Sequence, residues 1–138
     1  MSTRFASPGP AGQPADKTIL IVDDDQEFRD ALVEIVRREG FQVETAKSGL
    51  QALDKLRWGL RPCVILLDLQ MAVMTGWDFR TEQRRDPALA AIPVIAMTAG
   101  YWKVRDIGDY AARITKPIDV KELKARLAKY CEPPEGRG

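Results

Sequence analysis

The sequence predicts an α/β fold, a parallel five-stranded sheet with helices on both faces. Three observations predict it. Short apolar runs rich in branched residues alternate with helical patterns five times along the chain. The strongest runs are continuously apolar, as strands covered on both faces must be. Five such units are too few to close an eight-stranded barrel.

Each element has a local cause. Thr18–Val22 (TILIV) is an unbroken apolar run. Asp25 stands at a helix N-cap position, and Phe28, Leu32, Ile35 and Val36 follow at helical spacing. Residues 26–39 therefore form an amphipathic helix, closed by Gly40. Residues 41–45 are a weaker second strand. Ser48 and Gln51 have capping-box spacing and open a helix to about Trp58, with Leu50, Leu53 and Leu56 among its apolar residues. Residues 63–67 are the third strand. Thr75, Gly76 and Asp78 open a helix running to about Arg85, with Pro87 ending that region. Residues 92–97 are the fourth strand, entered through Pro93, which a strand start tolerates. Residues 111–115 are a poor fifth strand. Asp119 caps a last helix in which Val120, Leu123, Leu127 and Tyr130 are expected to form the buried stripe. Right-handed crossovers turn this (βα)5 order into a three-layer sandwich of the flavodoxin-like type, with strand order 2-1-3-4-5.

Length and charge narrow the function classes. A chain of 138 residues holds one domain large enough to support a core. Residues 1–16, rich in Ser, Pro, Gly and Ala, and residues 132–138 lack periodicity. They read as disordered tails flanking a domain at 17–131. Lys plus Arg is 21 and Asp plus Glu is 20, a balance that gives no electrostatic case for nucleic acid. No apolar run approaches the ~20 residues of a membrane span. The N-terminus carries no signal-peptide core, so the expected location is cytoplasmic. The absence of histidine removes Ser/His and Cys/His catalysis and most zinc sites. Cys63 and Cys131 form no CxxC pair and read as two small buried residues of a reducing compartment.

The chemistry gathers at the strand ends. In such a sheet all strands point their C-terminal ends to one edge, where ligands bind. Strand 1 ends in Asp23-Asp24, strand 3 in Asp68, strand 4 in Thr98 and strand 5 in Lys116. Strands 1, 3, 4 and 5 are neighbours, so three carboxylates, a hydroxyl and an ammonium are expected to face one crevice. Three clustered carboxylates repel unless a cation joins them, and a hard divalent ion such as Mg2+ suits oxygen ligands in an open site. A carboxylate beside a metal, a lysine and a hydroxyl is equipped to attack phosphorus and hold an acyl phosphate. Asp25 reads as a cap only.

The stretches ILIVDDD (19–25), VILLDLQMAVMTG (64–76), PVIAMTA (93–99) and ITKP (114–117) together resemble the receiver domain of two-component response regulators. The resemblance implies that Asp68 accepts a phosphoryl group from a histidine kinase or histidine phosphotransfer protein. It implies that Asp23, Asp24, Asp68 and the Gln70 backbone carbonyl hold Mg2+, and that Thr98 and Lys116 bind the phosphoryl oxygens. It further implies that the domain catalyses only its own phosphorylation and dephosphorylation. With only a short tail after the last helix, the chain reads as a stand-alone receiver. It would signal to a downstream protein partner or by self-association, with no direct part for nucleic acid or membrane.

Four departures qualify the likeness. Ala72 follows Met71 where the family usually has proline, and Thr75 stands where an acidic residue is usual. Arg113 occupies the position of the family's switch aromatic. The stretch from Thr98 to Lys116 is about one helical turn, ~3.6 residues, shorter than usual, so the fourth helix is expected to be short, displaced or absent. Tyr101, Trp102 and Tyr110 lie there. They read as packing residues, or, for Tyr101 and Trp102, as a stand-in for the missing aromatic or a partner patch. A receiver-like binding module with a lost or atypical switch is therefore the alternative. A phosphohydrolase of the haloacid-dehalogenase type fits less well, since the acceptor lies on the third strand and Gln70 replaces its second acid. No GxGxxG follows strand 1 to favour a dinucleotide.

Overall fold

The structure, a computed structural model, describes residues 18–71, 74–99 and 110–131. The elements run β1 (Thr18–Val22), α1 (Gln26–Arg38), β2 (Gln42–Ala46), α2 (Gly49–Arg57), β3 (Val64–Asp68), α3 (Gly76–Arg85), α4 (Pro87–Ala90), β4 (Val94–Thr98), β5 (Ala112–Thr115) and α5 (Val120–Tyr130). All strand pairs are parallel, in the order β2-β1-β3-β4-β5. This is the flavodoxin-like arrangement that the alternating pattern predicts.

The period-two geometry of a strand builds two cores from one sheet. On one face Leu20 and Val22 of β1, Ile65 and Leu67 of β3, and Val94 and Ala96 of β4 pack with Leu53, Leu56 and Phe79 from α2 and α3. On the other, Ile19, Ile21, Leu66, Ile95, Met97 and Ile114 pack with Leu32 and Val36 of α1 and Leu123 and Leu127 of α5. Every residue of β1, β3 and β4 is buried, whereas the edge strands β2 and β5 are only partly covered. That difference explains why the two edges read as weak strands.

The helix caps are chemical stops and starts. Asp25, Ser48, Thr75 and Asp119 each accept a hydrogen bond from a first-turn amide of the helix that follows. α3 ends at Arg85, just ahead of Pro87 as expected, and Pro87 also opens a further turn, α4, capped by Asp86 through the Ala88 amide at 2.9 Å. Buried Gln83 ties that turn down by donating to the carbonyls of Leu89 and Ile92.

Two expectations are corrected. Val120 is 42% exposed, so the buried residues of α5 are Leu123 and Leu127, with Tyr130 partly buried beside them. Val120 is the first residue of α5, three positions ahead of buried Leu123. Cys63 and Cys131 are joined in a disulfide with a Cα–Cα distance of 5.5 Å. A sequence separation of 68 hides the pair. The fold makes it, because β3 begins and α5 ends at the same lower edge of a parallel sheet. The expected tails (1–16, 132–138), the β4–β5 crossover with its short or displaced helix, and Tyr101 and Trp102 lie outside the described residues.

Candidate functional site

The site grows from the upper ends of β1, β3, β4 and β5. The Asp23 amide donates to the Ala46 carbonyl at 3.1 Å, which prolongs the ladder by one residue past β1. Asp23 is thereby held at the floor of the crevice with no exposure. Its Oδ1 accepts from the Asp25 amide at 2.9 Å, and its backbone carbonyl accepts from Arg29 Nη1 at 2.6 Å. Asp24, next in the chain, is exposed at the rim. Asp25 turns away to cap α1, accepting from the Phe28 amide at 3.2 Å. One run of three aspartates thus supplies a floor, a rim and a cap.

Asp68 is the last residue of β3 and is 4% exposed. The Gln70 amide donates to its Oδ1 at 3.0 Å, fixing the carboxylate and leaving Oδ2 toward Lys116. Carboxylate oxygens of Asp23, Asp24 and Asp68 lie within 4.8 Å of one another. Lys116 follows β5, anchored by a 2.6 Å bond from its amide to the Thr98 carbonyl. Its ammonium lies 2.8 Å from Asp23 Oδ2 and 3.8 Å from Asp68 Oδ2. Thr98 ends β4, fully buried, paired with Thr115 and one rung beyond Asp68. The Gln70 side chain bridges the next loop, its Oε1 accepting from the Ala99 amide at 3.3 Å. The structure therefore brings Asp23, Asp24, Asp68, Gln70, Thr98 and Lys116 to one edge.

Burial raises the Asp68 pKa above its ordinary 3.8. The loss of hydration is the largest cause; the Gln70 amide draws it down, Asp23 pushes it up, Lys116 draws it down and Asp24 pushes it up. A carboxylate that resists ionisation among two others is a site short of positive charge. Hard oxygen donors in this number and spacing fit a divalent cation such as Mg2+.

Two contributors escaped the sequence reading. Phe28 has the spacing of the α1 stripe, yet its ring lies under Lys116, with the ammonium 4.1 Å from the centroid. Arg29 was not singled out. Both fall in the first turn after a cap, which the fold aims at the site. Gly76 is a third positional requirement: a Cβ there would meet Leu69 Cδ2 at 2.5 Å, Leu69 Cα at 2.8 Å and the Asp68 carbonyl at 3.1 Å. Only glycine lets α3 start this close beneath the Asp68 loop. Tyr110 is a packing residue, its hydroxyl donating to the Gly76 carbonyl at 3.0 Å. Arg113 is exposed on β5.

The family model described as response regulator receiver domain matches residues 19–128. The DNA-binding response regulator MtrA of Mycobacterium tuberculosis is 36% identical over 116 residues, covering 79% of the chain and 48% of that protein. The chain thus spans about half the length of that relative. The polar-differentiation response regulator DivK of Brucella anthropi is 31% identical over 119 residues, covering 83% of the chain and 95% of DivK. Among solved structures, the response regulator TrrA of Thermotoga maritima in complex with Mg2+-BeF superposes with a TM-score of 0.74 at 28% identity, covering 82% of this chain and 97% of that one. Motifs, strand order and an acidic crevice at the sheet edge agree, and the chain belongs to the response regulator receiver domains of two-component signalling.

Proposed function

We propose that the chain is a Mg2+-dependent phosphoryl acceptor, phosphorylated on Asp68 by a phosphohistidine donor, and that it signals through protein–protein contact. The observation that carries this reading is the meeting of three carboxylates within 4.8 Å beside the Lys116 ammonium. Asp23, Asp24, Asp68 and the Gln70 carbonyl would hold Mg2+, which supplies positive charge to the carboxylates and to incoming phosphoryl oxygens.

The chain's own groups do the rest. The Gln70 amide holds the Asp68 carboxylate by Oδ1 in one orientation, which leaves Oδ2, on the Lys116 side, as the oxygen to attack. An Asp68 oxygen forms the new P–O bond as the P–N bond to the donor imidazole breaks, leaving the electron pair on the ring nitrogen. Lys116 already stands 3.8 Å from Asp68 and neutralises charge on the transferred group. Thr98 supplies a hydroxyl one rung away. The acyl phosphate is later lost to water. The added charge of about −1.5 to −2 biases the conformers that partners read. The kinase, or a histidine phosphotransfer protein, and a downstream protein are the partners this chemistry requires, with the cytoplasm as the compartment. Among the described residues no helix is long and apolar enough to cross a membrane.

A second reading, a receiver-like binding module with an atypical switch, draws on Arg113, exposed where the family has an aromatic. Incubation with acetyl phosphate and Mg2+ separates the two. Wild type is expected to gain one acid-stable, base-labile phosphate by mass, and Asp68→Asn or chelator is expected to abolish the gain. Label persisting in Asp68→Asn overturns the acceptor assignment. Mg2+ binding without label supports the module.

A further inference from the structure

We propose that Cys63 and Cys131 form a reversible disulfide-exchange site, oxidised by a low-molecular-weight disulfide and reduced by thiols, which fastens or frees the end of α5. The pair lies far from the phosphoryl chemistry. Cys63 precedes Asp68 by five residues along β3, a rise of roughly 17 Å at about 3.3 Å per residue. The site is therefore separate from the acidic crevice.

The two sulfurs are unequally placed. Cys63 is half-buried and belongs to the sheet, its amide donating to the Thr18 carbonyl at 3.0 Å. Cys131 is 2% exposed and belongs to the helix end, its amide donating to the Leu127 carbonyl at 2.7 Å. An incoming thiolate thus reaches Cys63 Sγ first. That attack forms a mixed disulfide at Cys63 and expels Cys131 as thiolate, which takes a proton from water. A second thiol then attacks the mixed disulfide and releases Cys63, so two thiols become one small disulfide. The reverse consumes one small disulfide and returns two thiols.

Both redox states keep the core. Leu123 and Leu127 hold α5 in a buried cluster with Leu32, Val36 and Ile114, to which Cys131 also belongs. What the bond adds is confined to the last turn, where Tyr130 donates from its hydroxyl to the Ala111 carbonyl at 3.0 Å, just before β5. Reduction therefore loosens the end of α5 and its tie to β5. A domain of this size builds its core without covalent staples, so the bond is free to serve as a switch.

The test uses the full chain purified without reductant. In mixtures of oxidised and reduced glutathione, the alkylatable thiols of native wild type are expected to pass from none to two, with unchanged far-ultraviolet circular dichroism. Hydrogen exchange at the amides of 127–131 is expected to speed about tenfold on reduction while β1 and β3 stay protected. Cys131→Ser is expected to take one glutathione at Cys63, and Cys63→Ser none until unfolded. Two free thiols in the air-oxidised native protein overturn the proposal. So does reduction only on unfolding, equal glutathione uptake by both variants, or unchanged exchange at 127–131. The wild-type titration decides the matter even if a variant fails to fold.

Discussion

The two edges of the sheet hold the chain together by opposite means. At the upper edge the fold gathers like charges: Asp23 with no exposure, Asp68 with almost none, and Asp24 at the rim, offset by the Lys116 ammonium. At the lower edge it gathers sulfur and carbon, with the Cys63–Cys131 bond beside buried Leu127. The contrast teaches where each edge acts. Crowded carboxylates destabilise the native state until a cation or phosphoryl chemistry uses them. A cross-link acts mainly on the unfolded chain, by restricting it. The upper edge gathers the charge that a cation must offset, and the lower edge carries a covalent tie.

The largest test of that contrast is to open the lower edge. Closing a loop across 68 positions removes unfolded-chain entropy worth about 4 kcal/mol. Reduction, or Cys131→Ser, is expected to lower the urea-unfolding free energy by about that amount. Mg2+ affinity at the upper edge is expected to stay the same. A shift in Mg2+ affinity as large as the loss in stability would show that the two edges do not act independently.

The second test removes the cation from the upper edge. Lys116→Ala leaves buried Asp23 with the Asp25 amide as the remaining hydrogen-bond donor to its carboxylate among the described residues, and takes the ammonium from the Phe28 ring. Breaking a buried pair from one side costs about 3 kcal/mol. Urea unfolding is expected to report that loss in metal-free buffer, and millimolar Mg2+ is expected to recover part of it. No loss would mean that the ammonium is dispensable to the fold and serves only the incoming phosphoryl group.

Fold and site were legible to different depths, for physical reasons. The central strands were legible because burial on both faces forces unbroken apolar runs such as Thr18–Val22 and Val64–Asp68. The crevice followed from them, since parallel strands must deliver Asp23, Asp24, Asp68, Thr98 and Lys116 to one edge. Contacts set by three-dimensional approach were not legible. Cys63 and Cys131 are joined across 68 positions, and nothing local marks them as a pair. Phe28 shows the same limit from the other side. Its spacing fits the α1 stripe, and only the return of β5 brings Lys116 over its ring. Val120 fails for a third reason: helical periodicity fixes a face, but Val120 opens α5 and that face is buried only from Leu123 onward.

The smallest effect sharpens the contrast most, because it isolates one charge. Burial, with Asp23 and Asp24 adding to it, makes folded Asp68 hold its proton more tightly than the unfolded chain, where the group titrates near 3.8. Between 3.8 and the raised value the folded state binds more protons, so stability falls as pH rises through that window. Above the window ionised Asp68 weighs against folding. Asp68→Asn removes the charge and keeps the shape, so its melting temperature is expected to exceed that of wild type at pH 7 without divalent metal. The gain is expected to shrink toward zero as pH drops below 3.8, where both side chains are neutral. Adding Mg2+ is expected to raise the wild type more than the variant. Equal melting temperatures at pH 7 would mean that the Gln70 amide and Lys116 already compensate the buried charge, and that the upper edge is not strained by its own carboxylates.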